Sequence, residues 1–473
     1  MDYKKQGFMC GIEIHQQLDT PKLFCSCPSI VHDENPDIKV QRKLRAVVGE
    51  TGKIDAAAQH EMNKDKNFTY EACTTSSCLI ELDEEPPRDI NEEALHTVLI
   101  VAKLLNAEVV DEIQVMRKTV IDGSNVGGFQ RTALVALNGY IETTKGKVKI
   151  TLISLEEEAA KKIKAEKGNT TYRLDRLGVP LIELGTDSSI QDPEHAKEVA
   201  SILRMILRST GNVKRGIGSI RQDVNVSIQG CARTEIKGFQ DLKSIPRVIE
   251  NEVKRQQELI AKGEKIKEEV RKAEPDFSTS FMRPMPGANR MYPETDVTPV
   301  RVTKQYFESI EVPKLLSDQK EELQSTYKLN EALANEILKQ KINLQAYTKQ
   351  YTNIEPKTIA TILVEIPKEL KSRLKRDISK LTEEHFNAVF EKLNAKAISQ
   401  DAVIDILEEY TEGKTVDFAK YKPMDNDNIE AIIKTIVDAN PGAPPGALMG
   451  KAMAELKGKV DGKTVSAILK KLL

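Results

Sequence analysis

Apolar and polar residues alternate with period two through most of the chain from Met1 to about Arg301, and beyond that the apolar spacing becomes helical. In Gly11–Leu18 the alternation puts Ile12 and Ile14 on one side of a strand and Glu13, His15 and Gln17 on the other, so a carboxylate and an imidazole point together. Between Ile220 and Gly238 the same period predicts a hairpin. Val224, Val226 and Ile228 face a core, Arg221, Asp223 and Asn225 face away, Gln229-Gly230 turns, and Arg233, Glu235 and Lys237 return on the polar side. Such a face is either the wet side of an antiparallel sheet or a surface built for binding. A further strand, Val148, Ile150, Leu152, is read as running into a helix at Ser154. There Ser154 and Glu157 fit a capping box and Glu156 is left over. Glu183 sits in an otherwise apolar strand and needs a partner or a cation.

Two helices carry clear start and stop signals. Asn91 caps the apolar run Leu95, Val98, Leu99, Ala102, Leu105. Asp192-Pro193 opens a second helix with Val199, Leu203, Ile206 and Leu207 as its buried stripe and Gly211 as its stop. Residues Glu252 to Lys272 read as a charged helix followed by a linker. Asn440 to Ala447, rich in Pro and Gly, separates a last pair of short helices. The expected fold is α+β: an antiparallel-sheet domain over 1–301 with a linker at 273–281, a helical domain over 302–395, and a small helical tail domain over 396–473.

Composition narrows the class. The 473 residues exceed one domain of about 100–200 residues, and 40% apolar with 30% charged residues is ordinary for a globular chain. No run reaches the about 18 apolar residues of a membrane span, so a cytoplasmic location without membrane partners is expected. A net charge of −2 offers no bulk attraction to nucleic acid, which leaves local patches. From Lys451 to Leu473 six lysines stand against two acids, a patch that is either a solvated helix face or an RNA contact. Of the six cysteines, Cys25, Cys27, Cys73 and Cys78 can be read as four thiolates for a structural Zn²⁺ or as buried free thiols.

Glu13, His15, Glu156 and Glu183 form a carboxylate-rich set that suits a hard cation such as Mg²⁺. The loop Asp122–Thr132, with Ser124, Asn125, Gly127, Gly128 and Arg131, is either a phosphate cradle or a hairpin loop. Gly413-Lys-Thr415 and Gly462-Lys-Thr464 lack the earlier glycine of a P-loop. Neither an amidase serine motif nor a Cys-His glutaminase pair is evident, so any ammonia comes from another protein.

Eight collinear blocks between Gly11 and Asp296 carry a resemblance: GIEIHQQLDTPKLFCSCP, DEEPP, MRKTVIDGSNVGGFQRT, SLEEEAAK, YRLDRLGVPLIEL, GIGSIRQDVNVSI, RTEIKGFQDL and MRPMPGANRMYPETD. They are similar to the B/E family of tRNA-dependent amidotransferase subunits, on its archaeal E branch, and the tail from Gly446 resembles that family's RNA-contacting tail. The resemblance implies a cradle domain that phosphorylates the side chain of Glu on tRNA(Gln) with ATP and aminates it to Gln. Ammonia would come from an asparaginase-like D-type partner within a heterotetramer; in the B branch an amidase-signature partner takes that place. It also implies His15, Glu156 and Glu183 as Mg²⁺ ligands with Glu13 beside them. Arg221, Asp223, Asn225, Arg233, Glu235 and Lys237 would contact nucleotide or the charged tRNA end. The E branch carries a large inserted domain near Lys272 to Phe281, where this chain has only a short segment. Against the catalytic reading stand a tRNA-binding scaffold without catalysis and a free-standing carboxylate–amine ligase for small acids.

Overall fold

The structure is a computed structural model of the 473-residue chain, described for all residues except 1, 33–34, 49–51, 240, 265–266, 288–289, 423–425, 457–461 and 473. It divides into two compact units, Met1–Leu315 and Leu316–Leu473.

The first unit is built on an eleven-stranded sheet. Ten of its strands are β1 (Met9–Gln17), β2 (Val115–Thr119), β3 (Phe129–Thr143), β4 (Gly146–Glu157), β5 (Pro180–Thr186), β6 (Ile220–Ser227), β7 (Thr234–Phe239), β8 (Glu269–Ala273), β9 (Thr279–Pro284) and β10 (Met291–Pro293). They run in the order β9-β8-β7-β6-β1-β5-β4-β3-β2-β10, with the short strand Glu108–Val109 beside β3. Every pairing is antiparallel except β7 with β8. One face packs on three helices: α1 (Glu92–Leu104), α2 (Pro193–Ser209) and α3 (Ser244–Ala261). Ile12, Ile14, Ile153, Leu155, Val224 and Val226 from the sheet join Val98, Leu99, Leu203, Leu207 and Val248 from the helices in a single apolar cluster. A second sheet, Ile38–Arg42, Asn67–Ala72, Asn169–Arg173 and Lys161–Glu166, holds its own core around Tyr70 and Tyr172.

Both capping signals place their helices. The Asn91 side chain accepts from Ala94 N at 2.9 Å, and Asp192 accepts from His195 N at 3.0 Å. Gly211, at φ +77°, ends α2.

Five expectations are corrected. Ser154–Glu157 is the end of β4 rather than a helix start, and Glu157 accepts from Arg131 N at 3.0 Å across the sheet. The charged helix begins at Ser244 and ends at Ala261, because its buried stripe, Ile245, Val248, Ile249 and Val253, lies upstream of the charge run. The segment 273–281 is no linker: it is the end of β8, a turn and the start of β9, a hairpin that extends the sheet. Finally, residues 302–315 stay with the first unit, where Ile310 joins the sheet–helix core. The boundary at 395/396 falls inside the helical core, since Val403 and Ile406 pack with Ile359 and Phe390. The last small core, Ile429, Ile433, Leu448, Val465 and Leu469, starts well beyond it. Among the described residues no helix is long and apolar enough to cross a membrane.

Candidate active site

The face of the sheet opposite α1–α3 forms the floor of a cavity of about 1160 Å³. Register decides what projects into it. In antiparallel strands directly paired residues share a face, and His15 pairs with both Glu183 and Arg221, while Glu13 pairs with Asp223 and Asn225 with Glu235. Glu156 reaches this face through an irregularity. Val148 and Ile150 of β4 face the core, but Thr151 is an extra residue against β5, and after it Ile153 and Leu155 take the core positions. Leu152 and Glu156 then face the cavity, where uninterrupted alternation from Val148 would have turned them inward. A second bulge, at Gly238 with φ +91°, aims Lys237 at the acids of β1 and β6.

Two acidic groups result. Ligand atoms of His15, Glu156 and Glu183 lie within 4.8 Å of one another, as do those of Glu13, Asp223 and Glu235. In the first, His15 Nε2 is 3.6 Å from Glu183 Oε1, and buried His15 Nδ1 has no hydrogen-bond partner. Burial holds the imidazole below its ordinary pKa, hence neutral and able to donate a lone pair. Glu156 accepts from Thr132 Oγ1 at 2.9 Å and Gln130 Nε2 at 3.0 Å and is paired with Lys118. Burial, and then the nearby Glu183, push its carboxyl up. A neutral imidazole whose Nε2 stands against one of two crowded carboxylates fits a hard divalent cation with mostly oxygen donors.

In the second group, Asn225 Nδ2 donates to Glu13 Oε1 at 3.0 Å, and Lys237 Nζ is 2.6 Å from Asp223 Oδ2 and also paired with Glu235. Burial opposes ionisation of Asp223, but Lys237 and His15 outweigh it and hold Asp223 below its usual range. Glu13 is pushed up, by burial first and by Glu235 next.

The rim is cationic. Arg221 reaches buried Glu158 at 3.1 Å, and Arg204 and Arg208 from α2, Arg233 from the β6–β7 hairpin, Arg283 and Arg290 line the same cavity. Alternation and spacing do not single out Lys118, Gln130, Arg204, Arg208, Arg283 or Arg290. Lys118 and Gln130 stand inside a quoted motif, and that membership is the signal that could find them. The arginines of α2 are ordinary polar-face residues until the fold brings them to the rim.

Residues 8–308 match the GatB/GatE catalytic domain, and residues 343–473 match the GatB domain. The chain belongs to the GatB/GatE family. Among its relatives, the protein of Methanococcus maripaludis named as the E subunit of glutamyl-tRNA(Gln) amidotransferase is 34% identical, covering 93% of this chain and 92% of the relative. The proteins of the same name from Methanocaldococcus jannaschii and Methanosarcina acetivorans are each 35% identical, covering 92% of this chain and 92% of the relative in the first case, and 99% and 98% in the second. The Methanosarcina acetivorans match spans 624 positions, more than the 473 residues here, so that relative carries residues inside the matched span that this chain lacks.

In this GatB/GatE-family protein the loop expected to cradle phosphate is split between two places. Ser124 and Asn125 line the cavity. Gly127 packs against Phe129 and Asp83, Gly128 contributes nothing to the cavity lining, and Arg131 is buried with Nε 2.8 Å from Glu294 Oε2. Arg131 is therefore a structural cation. The thiols also regroup. Cys25, Cys27 and Cys78 come together with Glu81, whereas Cys73 lies outside the group, its Sγ accepting from Arg173 Nη1 at 4.0 Å. Cys25 Sγ donates to Glu81 Oε1 at 2.9 Å, and burial pushes the Cys78 thiol up to about 11. Three thiols and a carboxylate within reach of one ion fit a tetrahedral site.

Proposed function

We propose that this chain activates and amidates the side chain of Glu carried on tRNA(Gln), using ATP and ammonia released by a separate asparaginase-like subunit of a heteromeric enzyme. One observation carries the reading: the two acidic groups with their lysines, and a rim of arginines, share one cavity within the stretch that matches the GatB/GatE catalytic domain. The names of the relatives supply the substrate.

The chemistry follows from the substrate's weakness as an acyl donor. A Glu carboxylate oxygen attacks the γ-phosphorus of ATP, ADP departs, and the acyl phosphate loses phosphate when ammonia attacks its carbonyl carbon. His15, Glu156 and Glu183 would hold Mg²⁺, which supplies charge neutralisation for the transferred phosphoryl group. Lys118 and Arg221 stand where they can pair with phosphate oxygens. Glu13, raised toward neutrality by burial and Glu235, is suited to take the proton that the incoming nitrogen loses. A structural Zn²⁺ would sit on Cys25, Cys27, Cys78 and Glu81.

The test is ATP-dependent conversion of Glu-tRNA(Gln) by this chain with Mg²⁺ and ammonium chloride, with metal analysis of the same preparation. Product is expected with ammonium and not with glutamine, and one equivalent of zinc is expected in the protein. Glu183→Gln should lower turnover by about 10²–10³-fold while tRNA still binds. A fully active Glu183→Gln variant would remove that residue from the site, and bound tRNA with no product under any condition would favour the scaffold.

A further inference from the structure

Between α2 and β6 the chain makes a loop whose feet are fixed and whose tip is bare. Buried Gln16 Nε2 donates to Lys214 O and to Ser219 O, each at 3.0 Å, clamping both feet to β1. Gln17 N adds a bond to Ser219 O at 2.9 Å, and Lys214 N one to Gln17 O at 3.0 Å. Above these the turn closes on itself through Ser219 Oγ to Gly216 O at 2.9 Å. Its tip is Gly216-Ile217-Gly218, with φ of +119° and +83° at the glycines and open space where their side chains would be. Ile217 is fully exposed at 106% and lines the cavity mouth.

A single exposed isoleucine is unremarkable on a surface. This one stands on a clamped loop that lines the same cavity as two cations that lack acids. Among the described residues neither Arg204 nor Arg208 lies in an ion pair, and the buried Nε of Arg204 has no hydrogen-bond partner. Burial, and then Arg204 and Arg215, depress the Arg208 pKa, as crowded guanidiniums do. Apolar surface next to unpaired guanidiniums is complementary to a nucleobase joined to phosphate.

Resting on the transamidase reading of the cavity, we propose that the Ile217 tip and the Arg204–Arg208 pair receive the unpaired 3′ end of the aminoacylated tRNA, a nucleobase packing on Ile217 and the guanidiniums taking the adjoining phosphodiesters. ATP offers the same base-plus-phosphate chemistry. The position at the mouth selects the RNA end: ATP must place its γ-phosphate at the acidic floor, whereas a 3′ strand has to cross the rim to deliver its aminoacyl group there.

Ile217→Asp and Arg204→Gln/Arg208→Gln separate the two sources. Ile217 touches no core, so its variant keeps the fold. Ile217→Asp is expected to raise the KM for Glu-tRNA(Gln) about five- to ten-fold and leave the KM for ATP where it was. The double arginine variant should flatten the salt dependence of tRNA binding by about 0.7 in log–log slope for each phosphate it no longer neutralises. Equilibrium binding of uncharged tRNA gives a readout independent of catalysis. Ile217→Asp should narrow the affinity gap between intact tRNA and tRNA trimmed of its unpaired 3′ nucleotides, and should not affect the trimmed RNA. A rise in the KM for ATP alone, or no change in binding of intact tRNA, would overturn the proposal. Absence of transamidation with these binding effects present would instead count against the catalytic reading.

Discussion

Glu294 has no exposed surface, yet the structure treats it as an anion. Arg117 grips it with two bonds, Nε to Oε2 at 2.8 Å and Nη2 to Oε1 at 2.6 Å, and Arg131 Nε adds a third at 2.8 Å. Burial works to raise its carboxyl, and the two guanidiniums together with Asp296 N reverse that, leaving it below the usual carboxylate range. Both arginines also stack on Phe129, at 4.5 and 5.1 Å from the ring centroid. Glu294→Gln would leave Arg131 and Arg117 only the longer pairs with Glu157 and Asp296, each at 3.5 Å, a loss of up to about 3–5 kcal/mol at neutral pH. The sign with pH follows from the depressed value. The stabilisation is complete above the ordinary carboxylate pKa and disappears as pH falls through the folded one. Urea unfolding of wild type and Glu294→Gln should therefore show a gap at pH 7 that narrows on acidification. A gap of the same size down to about pH 3, below the ordinary carboxylate range, would mean that the charge is not what holds these residues together.

At the scale of elements, the bulge at Thr151 decides the site. It lets one strand serve the core with Val148 and Ile150 below the kink and with Ile153 and Leu155 above it, while Glu156 faces the cavity. Were Thr151 held in the regular ladder instead, one half of β4 would be out of phase, because a one-residue slip exchanges the two faces. Two apolar side chains would leave the core at about 1.5–3 kcal/mol each. Deleting Thr151 leaves Val148, Ile150, Ile153 and Leu155 in unbroken alternation, so soluble, cooperatively melting protein is expected for the deletion, and near-normal melting for Thr151→Ala. A deletion variant that fails to melt cooperatively would show that the extra residue is itself needed for the fit to a neighbouring strand. The same bulge explains what a sequence can reveal. The face of β1 with Glu13 and His15, and that of the β6–β7 hairpin with Asp223, Asn225 and Glu235, are legible because each depends on local alternation alone. The Asn91 and Asp192 caps are legible for the same reason. Resemblance finds Glu156, but the local pattern puts it at a helix start, since a bulge shows only against its neighbouring strand. The hairpin at 269–284 stays hidden because β8 is held by a parallel partner some thirty residues away in sequence. Glu81 enters the thiol group in place of Cys73 because spacing along the chain says nothing about which side chains turn together.

At the scale of the whole chain, the helical unit contains two separate apolar cores. One runs from Leu323 to Leu407 with Val416, Phe418 and Tyr421 packed on it. The other begins at Ile429 and is closed by Leu448, Val465 and Leu469. A chain ending after Tyr421 keeps the first core intact, so removing the tail should not unfold what remains. The tail's described lysines are weakly engaged: Lys451 bonds Asn440, Lys471 pairs with exposed Glu430, and Lys470 is exposed. Lys457 and Lys459 of the basic patch, and the side chain of Lys463, lie outside the described residues. Surface pairs of this kind contribute little to stability, about 0–1 kcal/mol, so these lysines can exchange their partners for phosphates at small cost. If the tail contributes RNA affinity without touching the reacting atoms, truncation after Tyr421 removes binding made equally in ground and transition states. The KM for Glu-tRNA(Gln) then rises with little change in kcat, and the salt dependence of binding becomes shallower. Steady-state kinetics over a range of salt concentrations measure both. A fall in kcat at saturating tRNA would instead mean that the tail helps to position the aminoacyl end over the acidic floor.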